Sequence, residues 1–430
     1  MTNIVIANMI GAGIFTTSGL LMTDLDNPII LLALWMVGGL IAMAGALCYG
    51  ELGAAIPKAG GEYTFLASLF HPMLGFLSGW VSFVVGFSAP IAASSIGFSE
   101  YLFRAAPFIF DWGWFGVEWV KKIFAILVIL MFTWVHLRGI EFGARIQNYL
   151  TVLKVGLLAG LILLGFTLGK GDMSHLTAGQ TFHYNFQGWK AIGLSLLWIM
   201  FAYSGWNAST YIGSEIRDPV RILPKSLIVG TATVIVLYIF LNLLFVYALT
   251  PGEMKGVISI GGLAVGSLFN QTTDNIFSLL ICFALFSSIS AFIILGPRVY
   301  FAMAKDGHFF RFAGRLDSRY KVPSYSIVFQ AAISITIILS GTLDQILTYM
   351  GFSLGVFPII TVFGLIKLRL KGKSVLKLPG YPVTAIAFIS AGMIMLTLAF
   401  LERPAESSVA LATMAAGIPA YWLFHRKASG

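Results

Sequence analysis

Glycine and polar residues interrupt apolar sequence at two places. The first reads Asn8-Met9-Ile10-Gly11-Ala12-Gly13-Ile14-Phe15-Thr16-Thr17, and the second Met200-Phe201-Ala202-Tyr203-Ser204-Gly205-Trp206-Asn207. Glycine relaxes the backbone restriction that keeps a helix regular, so a break is expected in each. A helix starting near Gly13 would offer free N–H groups and a positive dipole end, which suit a carboxylate. A helix ending near Phe201–Tyr203 would offer free carbonyls, which suit an ammonium. Together they suit a zwitterion with both groups on one carbon. The candidate binding residues are Met9, Ile10, Gly11, Ala12, Gly13 and Ile14, with Phe201, Ala202, Tyr203, Ser204, Gly205 and Asn207.

The elements that would carry these segments follow from composition. Only 10% of the 430 residues are charged, 58% are hydrophobic, and the mean hydropathy is +0.89. A soluble chain carries about 25% charge. A soluble enzyme, a nucleic-acid binder and a disordered scaffold are thereby excluded. The net charge of +9 lies in short runs between apolar blocks, the pattern of membrane-flanking charge. A spanning helix needs about 20 apolar residues. Twelve such helices are predicted, at about 2–24, 29–56, 74–103, 119–138, 145–168, 189–215, 225–249, 272–304, 323–341, 343–369, 380–401 and 406–425. No alternating ten-residue segments suggest a β-barrel. No cationic segment precedes the first apolar run, so no cleaved signal peptide is expected.

With twelve spans both termini share one side. If that side is cytoplasmic, inner segments hold 19 Lys/Arg, among them Lys58, Arg138, Arg145, Arg217, Arg221, Lys225, Arg311, Arg315, Lys321, Lys371 and Lys373. Outer ones hold 7: Arg104, Lys121, Lys122, Lys170, Lys190, Lys255 and Arg403. The positive-inside rule then selects cytoplasmic termini, and the membrane expected is the plasma membrane. The chain reads as one membrane domain of two five-helix halves, 1–170 and 188–370, with two extra helices over 378–426; no residue-level internal repeat is visible. Matching breaks in spans one and six point to a site built from an inverted repeat. Small residues also serve close helix packing, and Gly11 and Gly13 fit that reading as well.

Four segments carry a resemblance. Gly11-Ala12-Gly13-Ile14-Phe15 resembles the first-helix motif of the amino acid–polyamine–organocation superfamily. Glu51-Leu52-Gly53 with Pro57-Lys58-Ala59-Gly60-Gly61-Glu62-Tyr63 resembles its second-to-third helix signature. Phe201–Asn207, followed by Glu215-Ile216-Arg217-Asp218-Pro219 and Pro224, is similar to the sixth helix of the L-type amino acid transporter branch. Gly296-Pro297-Arg298 with Ala302-Met303-Ala304-Lys305-Asp306-Gly307 resembles the end of the eighth helix. The resemblance implies a LeuT-type fold, an all-α membrane protein with helices 1–5 and 6–10 as inverted repeats. It also implies an aromatic outer gate at Phe201. Animal L-type transporters have a cysteine between spans three and four that bonds a partner subunit; Arg104–Glu118 contains none, so no disulfide-linked partner is expected.

Lys154 lies in span five, nine residues from Arg145 and so about 13 Å deep. Intramembrane ionisable residues are functional candidates facing the bundle interior. Thr151-Val152-Leu153-Lys154 resembles the fifth-helix lysine of sodium-independent members, which implies a fixed cation replacing sodium. Its expected partners are the Gly11 carbonyl and Ser287 or Ser288. A helix tether and a proton-coupling group are the other readings of Lys154.

Asn207 could bind substrate or cap an inner half-helix, and Trp206 reads as a packing residue. Ser287, Ser288 and Ser290 fit either an ion-binding role or close helix contacts. Glu51, Glu62, Glu215 and Asp218 lie at inner span ends, where they could close an inner gate through Arg or Lys contacts. His71, His136, His175, His183, His308 and His425 form no ligand set, Cys48 and Cys282 read as core thiols, and no metal or cofactor is expected.

The function expected is a secondary transporter of neutral L-amino acids, working by alternating access as a sodium-independent exchanger. Its partners would be the amino acid and the lipid bilayer, with no nucleic acid. Neutrality is inferred from the distance of acids from the breaks: the closest in sequence is Glu215, ten residues past Gly205. Proton-coupled symport of an amino acid or amine is the alternative. A channel would need rings of polar groups. A membrane enzyme would have only Glu51 and Glu62 as a carboxylate pair.

Overall fold

The computed structural model describes residues 1–113, 116–179 and 181–428, with backbone alone for 140–147 and 425–428. The side chains of Arg145 and His425 therefore lie outside the described residues. Those residues are helical apart from connections and one isolated bridge, Ala59 with Ile212.

Span 1 is two helices, Thr2–Met9 and Ala12–Leu25. Span 2, Pro28–Ala55, is followed by a short helix, Glu62–Leu69. Span 3 runs as Pro72–Val81, a π-helical turn Ser82–Gly86, and Ser88–Ala105. Spans 4 and 5 are Val117–Leu137 and Ile140–Leu168. Span 6 is α-helical over Phe186–Ala202 and continues as two 3-10 turns, Ala208–Tyr211 and Gly213–Glu215. Span 7 is Pro219–Ala248; a second short helix, Ile260–Leu268, precedes span 8, Gln271–Lys305. Spans 9 to 12 are Ser324–Ser340, Leu343–Leu370, Val383–Glu402 and Pro404–Ala428.

Ten of these spans are long and apolar enough to cross a membrane, and the helices of spans 6 and 9 are apolar but shorter. Local chemistry sets several boundaries. Asn27, Asn185 and Asn270 accept the N–H of Ile30, Gly188 and Thr273, which caps spans 2, 6 and 8. Thr342 and Gln345 form a capping box at span 10. Large apolar side chains such as Leu40, Trp134, Leu163, Ile394 and Leu423 are exposed on the outside of the bundle. A surface of that kind is at home against acyl chains. The protein is a multi-pass membrane protein.

Element order in the first five spans recurs in the next five. Each set has a broken span, a long span, a short helix and a third span, of 34 residues over Pro72–Ala105 and 35 over Gln271–Lys305. Span 11 packs on spans 2, 6 and 10, and span 12 on spans 3 and 10.

Two expectations are corrected. Beyond its break, span 6 does not resume as an α-helix. Gly205 takes φ +96, and the Gly60 N–H then donates to the Tyr211 carbonyl at 3.1 Å, so the 57–61 turn holds this arm in 3-10 form. Span 5 begins at Ile140 rather than near Arg145, which places Lys154 about 21 Å along the helix.

Candidate functional site

The two breaks lie against each other. Ile10 and Gly11 have extended ψ values, 90° and −159°, and the second helix of span 1 starts at Ala12. The N–H groups of that first turn have no intrahelical acceptor. A Cβ on Gly13 would stand 2.5 Å from both Cα and Cβ of Ala202, at the end of the span 6 helix. A Cβ on Gly205 would stand 2.8 Å from the Asn8 carbonyl carbon and Cβ. Only glycine permits both approaches.

Tyr238 of span 7 joins the breaks. Its hydroxyl donates to the Met9 carbonyl at 2.7 Å and lies 3.1 Å from the Ala202 carbonyl. The Phe201 carbonyl accepts from the Ser204 N–H at 2.8 Å. The span 6 carbonyl end is therefore less open than its sequence suggested, because the turn and Tyr238 occupy it.

Lys154 is fully buried behind the span 1 break. Its ammonium donates to the carbonyls of Ala7, at 3.1 Å, and Ile10, and to Ser288 Oγ at 3.3 Å. Ser288 itself donates to the Ile10 carbonyl at 2.9 Å. The partner anticipated at Gly11 is thus one residue earlier, at Ile10. The helix ends at Met9, so the Ile10 carbonyl has left the helical ladder. Ser290 lies 3.0 Å from His136 Nε2 across spans 4 and 8.

A cavity of about 110 Å³ lies beside the break. Phe201, Ser204, Gly205 and Asn207 line it, as does Trp206, which also packs edge-on to Tyr49 at 4.7 Å. Met9, Ile10, Gly11, Ala12, Gly13, Ile14, Ala202 and Tyr203 are buried but do not line it. Neither do Lys154, Ser287 or Ser288.

Sequence reasoning missed other wall residues. Asn8 is buried, and its Oδ1 has no hydrogen-bond partner in the protein. The π-helical turn contributes Ser82 and Gly86; π-turns recur at functional sites. Glu62 also lines the cavity, although it lies in the connection between spans 2 and 3. Its carboxylate accepts from Asn207 Nδ2 at 2.5 Å, from the Tyr211 hydroxyl at 2.5 Å and from the Tyr49 hydroxyl at 3.1 Å. Burial raises the Glu62 carboxyl above the usual carboxylate range, and these hydrogen bonds oppose the shift.

An acid therefore does stand beside the span 6 break, contrary to the reading from sequence distance. The 57–61 turn folds back on Tyr211 and brings it there. The available signal was Gly60-Gly61-Glu62: φ values of +113 and +56 make the sharp return possible.

The ends of the bundle are tied by side chains. The Tyr101 hydroxyl donates to the Phe15 carbonyl at 2.7 Å and accepts from the Gly261 N–H at 3.0 Å, on the side of the bundle that carries the helix Ile260–Leu268. Arg104 and Asp274 form a bidentate pair on that side, at 2.8 and 2.6 Å. On the other side Arg369 grips Glu51 at 2.6 and 2.5 Å, and Arg298 reaches Glu215 at 3.0 Å. Two of the four inner acids thus meet arginines as expected. Glu62 meets uncharged donors instead, and Asp218 has no ion pair among the described residues. The described residues contain no group of His, Cys, Asp or Glu able to hold a metal.

Known proteins are similar to the chain along nearly its whole length. The chain is 27% identical over 427 residues to the human "Large neutral amino acids transporter small subunit 2", covering 98% of this chain and 78% of that protein. It is 27% identical over 438 residues to the "Serine/threonine exchanger SteT" of Bacillus subtilis, covering 99% and 96%. It is 27% identical over 412 residues to the mouse "b(0,+)-type amino acid transporter 1", covering 95% and 82%. The family model described as amino acid permease matches residues 1–423, and the chain belongs to that amino acid permease family.

Proposed function

We propose that the chain exchanges neutral L-amino acids across the plasma membrane by alternating access. The observation that carries this reading is the contact of two helix breaks, Gly13 on Ala202 and Gly205 on Asn8, beside a small cavity. The N–H groups at Ala12–Ile14 would take the substrate carboxylate. Asn8 Oδ1 would take the ammonium, helped by the remaining lone pairs of the carbonyls around Phe201–Tyr203, two of which already accept a hydrogen bond. Phe201 would close over the substrate from outside, Ser204, Gly205 and Asn207 would meet it in the cavity wall, and Met9–Ile14, Ala202 and Tyr203, which do not line the cavity, would reach it only when the two breaks part.

Neutrality is supported by the names of two of the relatives, the large neutral amino acids transporter subunit and the serine/threonine exchanger. Lys154, bonded to Ser288 of span 8 next to Ser287 in sequence, would hold the inner half of span 1 without sodium. Residues 1–170 and 188–370 would be the inverted repeats, with 378–426 added. The charge distribution supports cytoplasmic termini, which would turn the Glu62 side of the cavity inward. No cysteine lies between Arg104 and Glu118, so the reading includes no disulfide-linked subunit. It is transport without catalysis.

A competition panel tests the substrate class. Unlabelled alanine, serine and leucine should inhibit uptake of labelled serine into proteoliposomes, and arginine and glutamate should not. Strong inhibition by arginine with leucine inert would overturn neutrality.

A further inference from the structure

A second cavity, of about 330 Å³, lies where span 2, the helix Glu62–Leu69 and span 10 end together. Lys367, Lys371 and Lys373 line it with Ser68. Gly372, at φ +65, terminates span 10 and turns the chain back, so Lys371 and Lys373 flank the same space. Both are exposed.

Lys367 donates to the Leu69 carbonyl at 2.6 Å and lies 4.8 Å from the centre of the Phe70 ring. An ammonium has three donors, so that carbonyl occupies only one. None of the three lysines forms an ion pair among the described residues. Glu51, on span 2, is taken up by Arg369, the Ser374 hydroxyl and the Leu378 N–H. Three positive charges therefore converge on one polar cavity without a counter-charge.

Lysines near helix C-termini favour the dipole there. That explains Lys367, whose ammonium meets a carbonyl, but it does not explain a cavity flanked by two more lysines past the helix end. Leu370, beside them, is 81% exposed and marks where the apolar face of span 10 stops. The cavity lies where spans 2 and 10 end, and basic pockets between spans at membrane faces bind anionic headgroups.

We propose that this cavity binds a phosphate anion, carried by an anionic phospholipid headgroup or free in solution. The bound anion would join the span 10 lysines to Ser68. It would thereby fix the short helix whose first residue, Glu62, stands in the wall of the other cavity.

The test is a melting titration of the purified full chain in detergent. Short-chain phosphatidylglycerol, short-chain phosphatidylcholine and inorganic phosphate are compared. Phosphatidylglycerol should raise the melting temperature and phosphatidylcholine should not. K371Q/K373Q should need about thirtyfold more phosphatidylglycerol, as expected for removing two lysines from an anionic headgroup. K371R/K373R should respond as the wild type does. A response to phosphatidylglycerol alone assigns the lipid headgroup, and an equal response to inorganic phosphate assigns the free anion; either upholds the site. An equal response to phosphatidylcholine, or an unchanged response in K371Q/K373Q, overturns it.

Discussion

Gly13 lies so close to Ala202 that a Cβ at position 13 would stand 2.5 Å from the Ala202 Cα. Nothing flexible separates them, so any side chain at position 13 must push span 1 away from span 6. Gly11, two residues earlier, is different: its Cβ would meet Ser288 Oγ at 3.8 Å, an ordinary contact. Gly13→Ala should therefore destabilise by about 1–3 kcal/mol, the usual range for overpacking. Gly11→Ala should leave the melting temperature unchanged. Equal effects of the two substitutions would contradict the proposed contact.

Phe201 is buried and lines the cavity. If it closes over substrate, Phe201→Ala should lower exchange by at least about tenfold, as expected for the loss of a closing element. Phe201→Trp keeps an aromatic ring and should lose only a few-fold. Thermal melting of each variant separates misfolding from lost gating. Near-normal exchange by a folded Phe201→Ala would make this ring a packing residue.

Glu62 predicts a pH dependence of stability. Burial raises its carboxyl above the unfolded value of about 4.3. Its stabilising contribution is therefore fully present below the unfolded value and is lost as pH rises through the higher folded value. Gln cannot ionise, so the wild-type melting temperature should fall relative to Glu62→Gln across that window. Parallel melting curves at all pH values would show that Glu62 titrates normally. Glu62→Ala should be worse than Glu62→Gln at any pH, because Tyr49, Asn207 and Tyr211 would lose their acceptor.

Lys154 predicts ion independence. Its ammonium is already hydrogen-bonded to two span 1 carbonyls and to Ser288. Replacing external sodium by choline should leave uptake unchanged, and Lys154→Ala should abolish it. Strict sodium dependence would remove the fixed-cation role. Acidification of the lumen during uptake would assign Lys154 to proton coupling.

The breaks and most span limits were legible in the sequence because both rest on local signals. Gly11, Gly13 and Gly205 mark where the backbone departs from a helix, and Asn27 or Thr342 marks where one starts. The cavity wall was less legible because it depends on chain return. Glu62 is far from Asn207 in sequence, and only the Gly60-Gly61 turn brings them to 2.5 Å. The register of the Lys154 contact was off by one residue for a related reason. The helix ends at Met9, which frees Ile10 rather than Gly11, and glycine positions alone do not fix that end. The π-turn Ser82–Gly86 has no proline or paired glycine to announce it.

Counterflow in proteoliposomes tests exchange most directly. Vesicles containing the purified chain are loaded with unlabelled serine or left empty, and labelled serine is supplied outside. The account predicts accumulation of label in loaded vesicles and little in empty ones, with no ionic current. Equal uptake by loaded and empty vesicles, or no uptake by either, would contradict it.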